Sequence, residues 1–320
     1  MEIISNPSQD EIKKAAKALK DGHLVAFPTE TVYGLGADAT NEKAVSRIYS
    51  VKGRPTDHPL IVHISSINLL DKWAIQIPEY AMKLAGEFWP GPMTLILKRS
   101  DLAKDFITGG QDYVGLRVPN QLVALSLLSK FKSLGGLGIA APSANRFGAV
   151  SPTTADAVED ELGDFLNDND LILNGGLSMV GVESSIIDCT KDNPVVLRPG
   201  AITDEMIEKI TGIKILLDSE KSPTRTSGQL EYHYSPKAKV IIDIIAGPGE
   251  GFIALANIPT PKGAIRLASP ENIEEFARVF YQALRVGDHK GLKKIKIIQP
   301  GGDGLAVAIR DRSGKAAAGK

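Results

Sequence analysis

Apolar positions recur at helical spacing over residues 9–21, with Ile12, Ala15, Ala16 and Leu19 on one side, lysines opposite and Gly22 closing the segment. The same spacing predicts a helix over 41–51, with Ala44, Val45, Ile48 and Val51 on one stripe, and others at 78–89, 120–130, 154–162 and 203–211. Between them lie short apolar runs bounded by turn residues, the pattern of buried strands: "HLVAFP" ending at Pro28, "PLIVHI" (59–64), "MTLILK" (93–98), "VGLRVP" (114–119), "LGIAA" (137–141), "LILN" (171–174), "SSIIDC" (184–189) and "PVVLR" (194–198). The helices are interspersed without a strict strand–helix–strand rhythm. The pattern therefore predicts an α/β domain with a large twisted mixed sheet rather than a doubly wound parallel one.

Residues 218–237 break the pattern with Ser, Thr, Pro and Lys, as an interdomain connector does. Strands at "AKVIIDII", "GFIALAN", "GAIRLA" and "KKIKIIQP", with helices at 271–285 and from about 303, predict a small α/β domain beyond it. The expected division is 1–217, a connector at 218–237, and 238–320. A length of 320 residues fits two domains.

Composition narrows the function classes. A formal net charge of −1 gives no bulk attraction for nucleic acid, although a local basic cleft is compatible with it. The single cysteine, Cys189, excludes disulfides within the chain and zinc sites built from several thiolates, and suits a reducing compartment. The first 22 residues carry charges throughout with no apolar signal core, and no run reaches the roughly 18 apolar residues of a membrane span. A cytoplasmic protein without a membrane partner is expected.

The stretch "SVKGRPTDHPL" (50–60) places Lys52 in the last turn of a helix, Gly53 after its cap and prolines beyond. That is a complete helix stop. Arg54 is surplus to it, since a guanidinium in a rigid Gly–Pro frame can present its fork to phosphate oxygens, with Lys52 as a second charge. "FPTETVYGLGADAT" (27–40) aligns Thr29, Glu30 and Thr31 at the end of an apolar strand; it matches neither a Walker loop nor the dinucleotide fingerprint. "APSANRFGAVSPTTADAV" (141–158) gathers Ser143, Asn145, Ser151, Thr153 and Thr154. Ser151 or Thr153 could cap the following helix, while Ser143 and Asn145, two apart, could turn neutral oxygens and an amide toward a phosphate or magnesium.

Arg117 stands inside an apolar strand with Leu116 and Val118 on the opposite face, so it needs an anion, whether a buried partner or a ligand. His63 sits likewise between Val62 and Ile64, where a satisfied structural histidine is the commoner case. Ser184 and Arg198 lie at strand ends. "EYHYSP" (231–236) puts Tyr232, His233 and Tyr234 in an otherwise polar connector, consistent with a segment that folds over a cleft as a lid or packs between domains. No HExxH, G-x-S-x-G or CxxC is present. Arginines, a lysine, hydroxyls and an asparagine fit electrostatic handling of phosphates better than nucleophilic catalysis.

In order, "FPTETVYGLGADA", "KGRP", "GPMTLIL", "VGLRVP", "APSAN" with "SPTTA", "GVESSIID" and "LRPGAI" resemble the YrdC-like threonylcarbamoyl-AMP synthases over about residues 8–212. "HYSP" and a second α/β domain resemble the long branch of that family. The resemblance implies a twisted sheet with helices around a deep, positively charged cavity, followed by a small Rossmann-like domain. It implies an enzyme that joins L-threonine, bicarbonate or CO₂ and ATP, with magnesium, to give threonylcarbamoyl-AMP and pyrophosphate. A separate transferase complex then modifies the adenosine beside the anticodon of tRNA, with weak direct tRNA contact by the synthase an open expectation.

By motif, the resemblance assigns Lys52, Arg54, His58, Tyr113, Ser143, Asn145, Ser151, Arg198 and Tyr234 to ATP, with Lys52 and Arg54 as the catalytic cations. It assigns Thr31, His63, Arg117, Ala141 and Ser184 to threonine, and magnesium to the ATP phosphates near Ser143 and Asn145. Tyr113 departs from the small hydroxyl residue common at its position. Ser313 and Gly314 interrupt the last helix, whose end is expected to fray away from the chemistry. The competing readings are a non-catalytic RNA-binding module using the basic cleft, and a hydrogenase-maturation carbamoyltransferase, whose cysteine-rich zinc modules one cysteine cannot build.

Overall fold

The computed structural model describes residues 1–215, 226 and 233–319. Its first half carries β1 (Glu2–Ser5), α1 (Gln9–Lys20), β2 (Val25–Phe27), β3 (Gly34–Asp38), α2 (Glu42–Lys52), β4 (Ile61–His63), α3 (Leu70–Trp73), α4 (Glu79–Phe88), β5 (Met93–Lys98), α5 (Asp105–Thr108), β6 (Tyr113–Arg117), α6 (Leu122–Ser133) and β7 (Ile139–Ala140). Then follow α7 (Ala155–Leu162), β8 (Leu171–Asn174), β9 (Ser185–Asp188), β10 (Val195–Arg198) and α8 (Asp204–Thr211). The C-terminal part comprises β11 (Lys239–Ile242), β12 (Gly251–Ile253), β13 (Ile265–Ala268), α9 (Ile273–His289), β14 (Lys294–Ile297) and α10 (Leu305–Ala318).

Strands β1 to β10 form one mixed sheet in the order β1-β8-β2-β3-β7-β4-β6-β5-β9-β10. Parallel pairs (β4 with β6, β5 with β9) occur beside antiparallel ones (β2 with β3, β5 with β6). The second sheet, β11-β14-β12-β13, is wholly parallel. The mixed sheet and the separate small α/β unit agree with the sequence pattern. Most of the expected connector at 218–237 lies outside the described residues.

Local chemistry sets the elements that carry the site. Asn41 caps α2 by accepting from the Ala44 amide, and Gly53 ends the helix at φ 61°, a left-handed conformation that glycine adopts without steric cost. The helix stop therefore fixes where Lys52 and Arg54 leave the chain. Thr154, rather than Ser151 or Thr153, caps α7, so Ser151 is available for other work. Strand β3, expected as loop, pairs antiparallel with β2 and with β7. A Cβ on Gly36 would lie 2.7 Å from the Ile139 side chain and 2.9 Å from the Phe27 ring, so the pairing of these strands demands a residue without strand propensity.

The two units share an apolar core. Val32, Val150 and Val182 of the first unit pack with Phe276, Ala277, Phe280 and Tyr281 of α9 and with Tyr234. Gly181, at φ 81°, admits this approach, because a Cβ there would run into the α9 backbone at Ala277 and Arg278. Helix α10 continues through Ser313 and Gly314 to Ala318. The Ser313 hydroxyl donates to Ile309 O at 2.9 Å, and both Ser313 and Arg312 are fully buried. Buried side-chain bonds offset the glycine's helix cost, so the expected fraying does not occur.

Candidate active site

Ile61 and His63, two apart on β4, project to one face of the large sheet, and the register pairs His63 with Arg117 on β6. Over that face lies a cavity that, counted with its open mouth, encloses about 550 Å³. Thr29, Thr31 and Gly34 border it from the β2–β3 segment, Ala141 and Ser143 from the segment after β7, and Glu183 and Ser184 from the approach to β9. Arg54, Arg198, His233 and Tyr234 complete its wall. Nine of the residues expected from sequence thus meet at one place: Thr31, Arg54, His63, Arg117, Ala141, Ser143, Ser184, Arg198 and Tyr234.

Three guanidinium groups give the cavity its charge. Arg117 Nη2 pairs with Glu30 Oε1 at 2.7 Å, its Nη1 donates to Thr31 Oγ1 at 3.0 Å, and its Nε to Gly91 O at 3.2 Å. The anion demanded by a buried arginine is therefore supplied from within, and Asn120 N in turn holds the other Glu30 oxygen at 2.9 Å. Arg54 Nη2 donates to Pro59 O, and its guanidinium lies 5.7 Å from the Phe147 ring centre. Burial lowers the Arg54 pKa to about 10, a value at which it still carries its charge at neutral pH. Arg198 donates from Nε to Ser184 O at 2.9 Å and from Nη2 to Ser184 Oγ at 3.1 Å.

The histidines of the wall are neutral. Burial, reinforced by the Arg117 charge, brings His63 down to about 3, and its Nδ1 has no hydrogen-bond partner among the described residues. Burial also brings His233 down to about 3; Glu183 opposes that shift, while Lys52, Arg54 and Arg198 assist it. Its ring meets Tyr234 edge-on, with centres 4.0 Å apart. Tyr234 holds φ 61°, a strained conformation for a side chain of its size, and its buried hydroxyl is likewise unpartnered among the described residues. Ser235 N donates to Gly148 O at 2.9 Å, tying this segment to the loop that carries Ser143 and Asn145.

Five expected site residues stand elsewhere. Lys52 lies behind the cavity: its Nζ donates to Ser143 O at 2.6 Å and to Asn145 O, and burial holds its pKa well below the ordinary lysine value. It therefore grips a loop in this structure instead of reaching into the cavity. Asn145 Nδ2 is held by Arg146 O and Ala149 O, which leaves Oδ1 as its buried, unpartnered atom. Ser151 donates to Glu183 Oε1 at 2.6 Å. His58 packs edge-on against Phe147, with centres 5.3 Å apart. Tyr113 begins β6 opposite Lys98, about 13 Å along the strand from Arg117 at ~3.3 Å per residue, so the structure gives it no contact with the cavity.

The sequence reading noted Glu30 beside Thr29 and Thr31 without giving it a role, and passed over Glu183, Phe147 and Arg312 as site residues. Glu183 and Glu30 each follow or precede a buried hydroxyl residue on an otherwise apolar approach, and an acid there was the available signal. Among the described residues no group of three or more His, Cys, Asp or Glu side chains could cage a metal ion. The donors present suit a cation that arrives with phosphate oxygens and adds at most a neutral ligand such as Asn145 Oδ1.

With this geometry in view, two family models match the chain: one described as "Telomere recombination", over residues 17–200, and one described as "Threonylcarbamoyl-AMP synthase, C-terminal domain", over 202–318. The chain belongs to the threonylcarbamoyl-AMP synthase family. It is 41% identical to the Threonylcarbamoyl-AMP synthase of Pyrococcus abyssi over 96% of this chain and 94% of that protein. It is 44% identical to the Bacillus subtilis protein of the same name over 75% of this chain and 68% of the other. A crystal structure of the Pyrococcus abyssi family member complexed with L-threonine superposes with a TM-score of 0.87 at 37% identity, covering 100% of this chain and 98% of that one. No helix among the described residues is long and apolar enough to cross a membrane.

Proposed function

We propose that this chain is an L-threonylcarbamoyladenylate synthase acting on L-threonine, bicarbonate or CO₂, and ATP. The observation that carries the reading is a single buried cavity walled by Arg54, Arg117 and Arg198 together with the Thr31, Ser143 and Ser184 hydroxyls, in a chain of this family. One substrate brings a carboxylate, another a triphosphate, and the product a mixed anhydride that water destroys. Such a wall matches all three needs.

Arg117, oriented by Glu30 and Thr31, receives the threonine carboxylate through its guanidinium fork, with neutral His63 and Ser184 beside the amino acid. Arg54 and Arg198 neutralise the triphosphate, and Tyr234 closes over the nucleotide. The threonine nitrogen attacks the carbon of CO₂, or of bicarbonate with loss of water, and gives up a proton to become a carbamate. A carbamate oxygen then forms a bond to the α-phosphorus as the bond to the bridging oxygen breaks, and pyrophosphate leaves with that electron pair. Positioning and charge neutralisation supply the acceleration. Magnesium entering with ATP would neutralise phosphate charge, and the Ser143 hydroxyl of the cavity wall and the unpartnered Asn145 Oδ1 on the same loop would be the protein oxygens to hold it. The His233–Tyr234 segment excludes water from the anhydride. A separate transferase consumes the product in modifying tRNA. The test is pyrophosphate release from ATP, which should require both threonine and bicarbonate; release that ignores threonine would overturn the proposal. An RNA-binding role without catalysis fits poorly with arginines gathered around one walled cavity instead of spread along a surface stripe.

A further inference from the structure

From the second unit, Arg312 of α10 reaches Glu183, a residue of the cavity wall. Its Nε pairs with Glu183 Oε2 at 3.0 Å, its Nη1 donates to Pro199 O at 2.9 Å and to Asp311 Oδ2 at 2.7 Å, and its Nη2 reaches Glu183 O at 3.5 Å. One guanidinium therefore joins the two backbone segments that carry Ser184 and Arg198, both in the cavity wall. Glu183 is otherwise held by the Ser151 hydroxyl at 2.6 Å and the Tyr281 hydroxyl of α9 at 2.9 Å. Arg312, Glu183, Ser151 and Tyr281 are buried beneath the apolar contact between the two units, while Pro199 and Asp311 are half-buried at its edge. In so dry a site a Glu183 carboxylate without Arg312 would draw on another cation, and Arg198 of the phosphate wall is at hand, held on the adjoining residue through Ser184 O and Oγ.

We propose that Arg312 is a positioning residue for the synthase reaction: by engaging Glu183 and Pro199 it keeps Arg198 directed at the nucleotide, so that the C-terminal unit is a built-in part of the active site. The inference rests on the function proposed above. It assigns the second unit an electrostatic task in place of a ligand of its own. It also accounts for an arginine, rather than a lysine, at a buried point where one side chain must serve two carboxylates and two carbonyls at once.

The test is a cycle of four full-length proteins: wild type, Arg312→Met, Glu183→Gln and the double variant, each assayed for melting temperature, pyrophosphate release and KM for ATP and threonine. Arg312→Met should raise the KM for ATP at least tenfold and that for threonine less than threefold. The double variant, which no longer buries an unpaired charge, should recover ATP KM to within about threefold of wild type and melt above the Arg312→Met protein. A double variant no better than Arg312→Met in either turnover or folding, or an Arg312→Met protein with wild-type ATP KM, overturns the proposal. The melting cycle needs no substrate, so a wild type that releases no pyrophosphate would refute the assigned reaction without imitating either result.

Discussion

Lys52→Met separates a phosphate-binding lysine from a lysine that builds the site. A lysine that only met phosphate at a helix end could be removed at little cost to stability. The structure reverses it: the Lys52 amine is buried and spends two donors on Ser143 O and Asn145 O. Such hydrogen bonds contribute ~0.5–1.5 kcal/mol each, and carbonyls left bare cost about 1–3 kcal/mol each. Methionine refills most of the stem's volume and relieves the burial of a polar nitrogen, which offsets part of the loss. A net destabilisation of about 2–4 kcal/mol remains from these terms. Trp73 and Trp89, the two tryptophans of the chain, both lie in the first unit, so urea unfolding followed by tryptophan fluorescence reports the affected part. The midpoint should fall without a change in slope, and turnover should drop because the loop carrying Ser143 is no longer anchored. A variant with the wild-type midpoint and a raised KM for ATP alone would show that Lys52 faces the phosphates, and would refute the argument.

Arg117→Lys keeps the charge but loses the fork; the KM for threonine should rise roughly 10- to 100-fold, the equivalent of ~1.5–3 kcal/mol, while the KM for ATP changes less than threefold in steady-state assays. His63 and His233 have pKa values of about 3 in the fold and about 6.5 when unfolded. The unfolded chain therefore binds more protons between those values, and stability must fall as pH drops from about 6.5 toward 3, at up to roughly 1.4 kcal/mol per pH unit for each histidine. His63→Asn should remove about half of that slope in urea melts taken across the range; an unchanged slope would contradict the assignment. Tyr234→Phe removes a buried, unpartnered hydroxyl, so the protein should melt no lower than wild type; any loss of activity should appear as weaker ATP binding by calorimetry.

Strands such as β5 and β8 were legible because an uninterrupted apolar run has one economical fate in a sheet buried on both faces. β3 was not, since its "GLGAD" is dictated by the space between Ile139 and Phe27 and not by local propensity. The order of ten strands was illegible for a related reason: pairing is chosen by packing between distant segments. In the site, the cations and hydroxyls were readable as residues in need of an anion. What they do in the fold was less so. Arg117 looks equally unsatisfied whether its partner is Glu30 or a ligand, and Lys52 looks equally available whether it faces a phosphate or two carbonyls. Arg312, more than 100 positions from Glu183 in the chain, carries no local mark of its partner. Only the interface between the two units joins them.

The most direct measurement is the fate of labelled bicarbonate. Incubated with the protein, ATP, magnesium and L-threonine, the label should enter one product whose mass is that of threonine and AMP joined through the bicarbonate carbon. The product should be absent when threonine is omitted and nearly absent with Arg54→Met. Release of pyrophosphate with no label in an adenylate, or a labelled product formed equally well without threonine, would contradict the account.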